Sequence, residues 1–136
     1  MPRLIGEKLK YVNIDPEERS KDLSQALDLL CMARVGQRVM HSFANGVPLG
    51  AEVKEKFFKL LFLDVGLVSS ACGLNRLDFE KEEDLNFVNQ GKLSEQFVGQ
   101  HLLYDQPPGQ APELYYWARE KRNASAEVDY VTSVGS

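Results

Sequence analysis

Glu127 and Asp129 stand two residues apart in the run Ala126–Val131, AEVDYV. Side chains of a strand alternate between faces, so both carboxylates are expected on one face, with Val128 and Tyr130 on the other. A third acid, Glu95, has an unusual setting. It lies in the stretch Lys92–Tyr104, where Leu93, Phe97 and Tyr104 form one apolar stripe and Val98 and Leu102 another. A helix apolar over that much of its surface is largely buried. At 100° per residue Glu95 falls beside Leu102, with Gly99 near it to permit a close approach. Such carboxylates are hard oxygen donors suited to Mg²⁺ or Mn²⁺, which bind one or two acids together with water and substrate phosphate. An ion so held activates water and stabilises a phosphoryl transition state. The structural alternative is that Glu95 pairs with a buried arginine while Glu127 and Asp129 form surface ion pairs with Arg119 or Arg122. Both readings stay open on the residues alone.

Other arrangements carry less chemistry. His41 and His101 have no cysteine or histidine at zinc-ligand spacing. There is no nucleophile-elbow serine and no GxxxxGK[ST] loop, so the chain has no nucleotide cradle of its own. Arg119, Lys121 and Arg122 form a basic cluster that is a candidate for nucleic-acid contact. Lys8/Lys10 and Lys54/Lys56/Lys59 form two more, each read first as a solvated face. Tyr115, Tyr116 and Trp117 are read as core rather than as a base-stacking platform, because neighbouring strand residues face opposite ways.

Several elements must position these groups. Tyr11–Ile14 has a strand-like flavour and is broken by Asp15-Pro16. Leu23, Ala26, Leu27 and Leu30 repeat at helical spacing from a start near Ser20 to about Arg34, and Gly36 is expected to end that helix. Gln37–His41 and Phe58–Leu63 read as strands joined through an Ala44-Asn45-Gly46 turn, in which Asn and Gly tolerate positive φ. The second strand is apolar on both faces and so covered on both. The Leu23/Leu27/Leu30 stripe is expected to pack against the hairpin made by the strands near Val39 and Leu61. Asp64 can cap a short helix from Val65. Residues 74–90 are acidic and read as a connector, and Pro107, Pro108, Gly109 and Pro112 force a loop before a final hairpin.

The chain has 136 residues, 43% hydrophobic and 26% charged, enough for a globular core. Its net charge of −4 weighs against a free-standing nucleic-acid binder. No apolar run approaches membrane-spanning length and no export signal is visible, so no membrane role and a cytoplasmic setting are expected. Cys31 and Cys72 are expected to be free thiols.

Three strings, FFKLLFLDVGL (Phe57–Leu67), GKLSEQFVGQHLL (Gly91–Leu103) and ELYYWAREKRNASAEVDYV (Glu113–Val131), occur in that order. With RSKDLSQALDLL and NGVPLGAEVKEKFFK before them, they resemble the uncharacterised C-terminal (DUF-type) domain of bacterial and archaeal AAA-type P-loop ATPases. The resemblance implies an α+β fold, with a winged-helix-like segment over residues 1–73, the acidic connector over 74–90, and a truncated PD-(D/E)XK nuclease-like segment over 91–136. That last segment would be an incomplete restriction-endonuclease-like helix plus β-hairpin. Glu95 matches the family's G-x-x-x-E glutamate, Asp129 the aspartate of its E-V-D strand, and Glu127 the glutamate of the same string. The family continues into a further strand, with an E-V-K motif, past the point matched by Ser136.

The resemblance thus implies a fragment, an accessory domain of a P-loop ATPase linked to nucleic acid and inactive as cut. It implies catalytic candidates Glu95, Asp129 and Glu127, metal candidates Glu95 and Asp129, and no cofactor in the fragment. Mg²⁺ or Mn²⁺ and ATP are implied for the full-length protein. The partners implied are the chain's own N-terminal ATPase module and DNA. The alternative is a protein-interaction or oligomerisation module that couples ATP hydrolysis to a protein partner. The strand 126–131, lacking its family neighbour, is expected to drive self-association.

Overall fold

The computed structural model describes residues 6–71, 83–121 and 124–133. Its elements are α1 (Tyr11–Ile14), α2 (Ser20–Met32), β1 (Gly36–Ser42), β2 (Val53–Phe62), α3 (Val65–Ala71), α4 (Glu83–Tyr104), β3 (Leu114–Lys121) and β4 (Ala124–Thr132). A 3₁₀ turn at Leu49–Ala51 lies between β1 and β2. The four strands form one sheet in the order β2-β1-β3-β4. The pairs β1–β2 and β3–β4 are antiparallel, whereas β1 and β3 run parallel and meet at Met40–Tyr115 and His41–Tyr116. The class is α+β, as the sequence indicates, and strands from residues 1–73 and 91–136 share this single sheet.

Alternation along β2 sets the layers. Phe58 and Leu60 project to one face and join Leu9 and Leu27 in a buried cluster, with Tyr11, Ile14 and Met40 around it. Leu61 projects to the other face, where it meets Val39, Leu114 and Tyr116, backed by Leu102, Leu103 and Tyr130. Helix α2 therefore covers the first face and α4 the second. The α2 stripe thus packs on the expected hairpin, through Met40, Phe58 and Leu60 rather than through Val39 and Leu61. Those two residues have the opposite strand parity from Met40 and Leu60, so they face α4. The stripe is also narrower than expected, since Leu27 is buried and Leu30 is exposed.

Local chemistry explains the element ends, with some departures from expectation. Helix α2 stops before Gly36. Arg34 takes the left-handed conformation at φ 56°. Its N–H bonds the Cys31 carbonyl at 3.0 Å and the Val35 N–H bonds the Leu30 carbonyl at 3.0 Å, the paired closure of a Schellman end. In the β1–β2 connection the positive φ values fall at Ala44 and Gly46 rather than at Asn45. Asp64 does cap α3, its Oδ1 accepting the Leu67 N–H at 3.0 Å. Residues 11–14 form a helical turn rather than a strand. The extended pairing in this region belongs to Leu9, which exchanges both backbone hydrogen bonds with Phe58. Helix α4 begins at Glu83, so residues 83–90 of the expected connector are its first turns, whereas residues 72–82, with Cys72, lie outside the described residues.

The outer edge of β2 is closed twice. Leu9 satisfies Phe58, and the Gln96 side chain, almost fully buried, accepts from the Phe62 N–H at 3.2 Å and donates to the Phe62 carbonyl at 2.9 Å. An unpaired strand edge is a template for aggregation, and a side-chain amide that mimics a neighbouring strand removes that hazard. At the far side, β4 is the terminal strand of the sheet.

Replacing Leu27 with Ala should cost roughly 2–5 kcal/mol, from lost apolar transfer plus a cavity between α2 and the sheet. Urea melts that show a loss near zero would contradict the packing of α2 on Phe58 and Leu60.

Candidate functional site

Lys59 lies on the α4 side of β2, between Phe58 and Leu60, which face away. Its side chain is 3% exposed, and its Nζ sits 2.8 Å from Glu95 Oε1, 2.9 Å from Glu127 Oε1 and 2.9 Å from Asp129 Oδ1. The ammonium is thus within hydrogen-bond reach of three carboxylates, one from α4 and two from β4. It also lies 5.5 Å from the centre of the Tyr116 ring on β3. The acids grade outward, with side-chain exposures of 17% for Glu95, 36% for Glu127 and 58% for Asp129. Lys8 adds a second cation, its Nζ 2.9 Å from Glu127 Oε2.

This contact joins the two edge strands of the sheet. Flat strands β2 and β4 would stand roughly 14 Å apart, three spacings of a sheet, and side chains rise steeply from its face. Lys59 can meet β4 only because the sheet curls toward α4.

A bulge in β4 completes the arrangement. Tyr115 pairs with Val131 and Trp117 with Val128, so Tyr116 opposes both Asp129 and Tyr130. Extra residues of this kind break the pleat and re-aim side chains. Asp129 reaches Lys59, and Tyr130 turns to the same side, where its hydroxyl donates to the Glu95 carbonyl at 2.9 Å. The simple alternation that pairs Tyr130 with Val128 is therefore corrected. Gly99 permits this docking: a Cβ there would stand 2.5 Å from the Tyr130 hydroxyl oxygen and 2.8 Å from Leu61 Cδ1.

The charges hold one another. Burial pulls the Lys59 ammonium down, but its bonds to Glu95, Glu127 and Asp129 outweigh that and raise its pKa well above the ordinary lysine value. Burial raises the Glu95 carboxyl, and Lys59 only partly offsets it. For Glu127 burial also pushes upward, yet Lys59 and Lys8 together bring it below the usual carboxylate range. Burial and the nearby Glu95 charge raise the Tyr130 phenol.

The structure thus brings Glu95, Glu127 and Asp129 together. As placed, they do not fit a resident divalent metal, because one oxygen of each is committed to Lys59. Among the described residues no group of three or more His, Cys, Asp or Glu is disposed to hold a metal ion. Arg119 is exposed, and its parity with Trp117 sets it on the face opposite Tyr116 and the acids. Lys121 ends β3, and Arg122 lies outside the described residues. The residue that sequence reasoning missed is Lys59, read as part of a solvated basic face. Its signal was its place in FFKLLF, a lone charge inside a strand buried on both sides. Lys54 and Lys56 are exposed as expected, and Lys54 Nζ sits 4.8 Å from the Phe43 ring and 6.0 Å from that of Phe57. Lys10 Nζ lies 4.7 Å from the Phe57 ring.

Lys59→Met should destabilise the protein by roughly 3 kcal/mol, the lower end of the range for removing one partner of a buried pair, because Asp129 is half solvated. Adding Glu95→Gln should recover part of that loss. Lys59 holds its proton more tightly folded than at its ordinary 10.5. Its contribution is therefore full below that value and lost as pH rises toward the folded pKa. Denaturation midpoints should fall above about pH 10, and less steeply in Lys59→Met; equal slopes would contradict this linkage. Gly99→Ala should cost about 1–3 kcal/mol by overpacking Tyr130, and a neutral result in thermal melts would contradict so close an approach of strand and helix.

Among the described residues no helix is long and apolar enough to cross a membrane. Residues 90–136 match the profile of a domain of unknown function (DUF4143). No curated protein and no solved structure matches the chain. Residues 1–78, more than half of the sequence, match the profile of a domain of unknown function (DUF8612), and the chain belongs to that family.

Proposed function

We propose that this chain is an accessory module of an AAA-type P-loop ATPase that acts with nucleic acid, and that it carries a nuclease-like acid site which Lys59 holds closed. The observation that carries this reading is the convergence of Glu95, Glu127 and Asp129 on one buried ammonium on the α4 side of the sheet. A helix acid and two strand acids on one face are the oxygen set that phosphodiester chemistry uses. Here a lysine neutralises them, so no step through a metal is assigned. The match of residues 90–136 to DUF4143, a family known in AAA-ATPase-associated proteins, supports the link to an ATPase.

Nucleic acid would approach along the rim rather than over the acids. Phe57 shares the β2 parity of Lys59, and Lys10 and Lys54 flank its ring, with Phe43 beyond. Lysines neutralise phosphates, and aromatic faces accept unstacked bases whatever their sequence. The overall charge of −4 keeps this contact local and salt-sensitive.

The test is fluorescence anisotropy with a labelled single-stranded oligonucleotide across a salt series. Binding should weaken steeply with salt, and Lys10→Ala and Lys54→Ala should each lower the slope by about one. The unmodified chain should leave the oligonucleotide intact in Mn²⁺. Absence of binding at low salt sinks the nucleic-acid link, and cleavage by the unmodified chain sinks the closed site.

A further inference from the structure

We propose that Lys8 is a switch between the acid cluster and a bound nucleic acid: at rest its ammonium covers Glu127, and a phosphate held at the neighbouring rim draws it away. The switch rests on the nucleic-acid reading above and adds to it a link between the rim and the acids.

Register places the switch. Leu9 is buried and exchanges both backbone hydrogen bonds with Phe58, so the chain around it follows the outer edge of β2. In an antiparallel pair the flanking residues stand opposite one another, which sets Lys10 against Phe57 and Lys8 against Lys59. The contacts agree. Lys10 Nζ is 4.7 Å from the centre of the Phe57 ring, and Lys8 and Lys59 both reach Glu127. Residues two apart on an extended chain share a face at a spacing of about 7 Å. One ammonium of this segment therefore serves the rim and the next serves the acids.

Two ammoniums divide one carboxylate. Glu127 Oε1 is 2.9 Å from Lys59 Nζ, and its Oε2 is 2.9 Å from Lys8 Nζ. Like charges on directly opposed residues repel, and Glu127 holds this pair together. The Lys59 side chain is 3% exposed and keeps Glu95 and Asp129 as further partners. The Lys8 side chain is 28% exposed. Lys8 is thus the one that can leave, because an ion pair between partly solvated groups contributes little and Glu127 retains Lys59.

A phosphate chain supplies the pull. Bound at Lys10 and Lys54, it brings further phosphates within reach of a flexible side chain two residues away, and a phosphate oxygen competes with a carboxylate for an ammonium. The residues before Lys8 cover a second acid. A Cβ at Gly6 would stand 3.1 Å from Glu95 Oε2, and Lys92 Nζ holds Glu7 Oε1 at 2.6 Å. One short segment therefore lies over the outer oxygens of Glu95 and Glu127, while their inner oxygens bond Lys59. Linkage makes the effect reciprocal: whatever loosens Lys8 from Glu127 strengthens binding at the rim.

The test is a double-mutant cycle read by the anisotropy of a labelled single-stranded oligonucleotide. Lys8→Ala should weaken binding and lower the salt slope by about one. Glu127→Gln, which loosens Lys8, should tighten binding about fivefold, the low end of coupling between sites. That gain should vanish when Lys8→Ala is added. A gain that survives in the double variant reflects only the lost negative charge and overturns the switch. An unchanged slope in Lys8→Ala, where Lys10→Ala still lowers it, overturns the switch and leaves the nucleic-acid reading standing; absence of all binding sinks both. In the unmodified chain the Glu127 carboxyl ¹³C resonance should move in step with oligonucleotide binding. A resonance that stays fixed at saturation overturns the proposal even where a variant fails to fold.

Discussion

The ammonium of Lys59 is the constraint on which this architecture rests. Removing a charge from water costs several kcal/mol unless close, well-aligned partners replace the lost hydration. Three carboxylates do so here, and they come from elements far apart in the chain. To supply them, β4 must curl toward β2 and α4 must lie close over the sheet. The bulge at Asp129–Tyr130 serves both needs, because it aims an acid at the lysine and a phenol at the helix backbone. Gly99 then keeps the helix near enough for that phenol to fit.

The same set of charges explains how three acids can gather here without an open coordination site. Two or three acids in a low-dielectric recess repel one another, and a cation must join them. A metal ion would come from solution and leave coordination positions for water and substrate. A lysine comes with the fold and leaves none. Around this face Lys10 stacks on Phe57 and Lys54 on Phe43.

Much of the fold was legible in the sequence because periodicity encodes burial. The α2 repeat, the two-sided apolar strand FFKLLF, the capped helix after Asp64 and the final hairpin all follow from it. The meeting of Glu95 with Glu127 and Asp129 was expected from the resemblance to a family's motifs, since parity and helix phase alone left it open. What alternation could not carry was any break in itself. Tyr130 changes face because of one extra residue opposite Tyr116, and no residue type announces a bulge. Lys59 escaped for another reason: charge suggests solvent, and only the long-range arrival of three acids makes its burial tolerable. Gly36 was an attractive helix stop, but the left-handed turn falls at Arg34, and Gly36 opens β1 opposite Phe62.

The position of β1 between β2 and β3 bears on how this protein forms as it is made. β1 and β2 are neighbours in sequence and can zip up as a local hairpin, but the other side of β1 waits for Tyr115 and Tyr116, some seventy-five positions further along the chain. Pairings of such long separation, and parallel ones especially, require large loops to close first and are slow. The boundary between the two matched sequence profiles therefore falls inside a cooperative unit. A nascent chain carrying only the first segment displays β1 with one edge bare, and its β-sheet is finished only when β3 and β4 have left the ribosome.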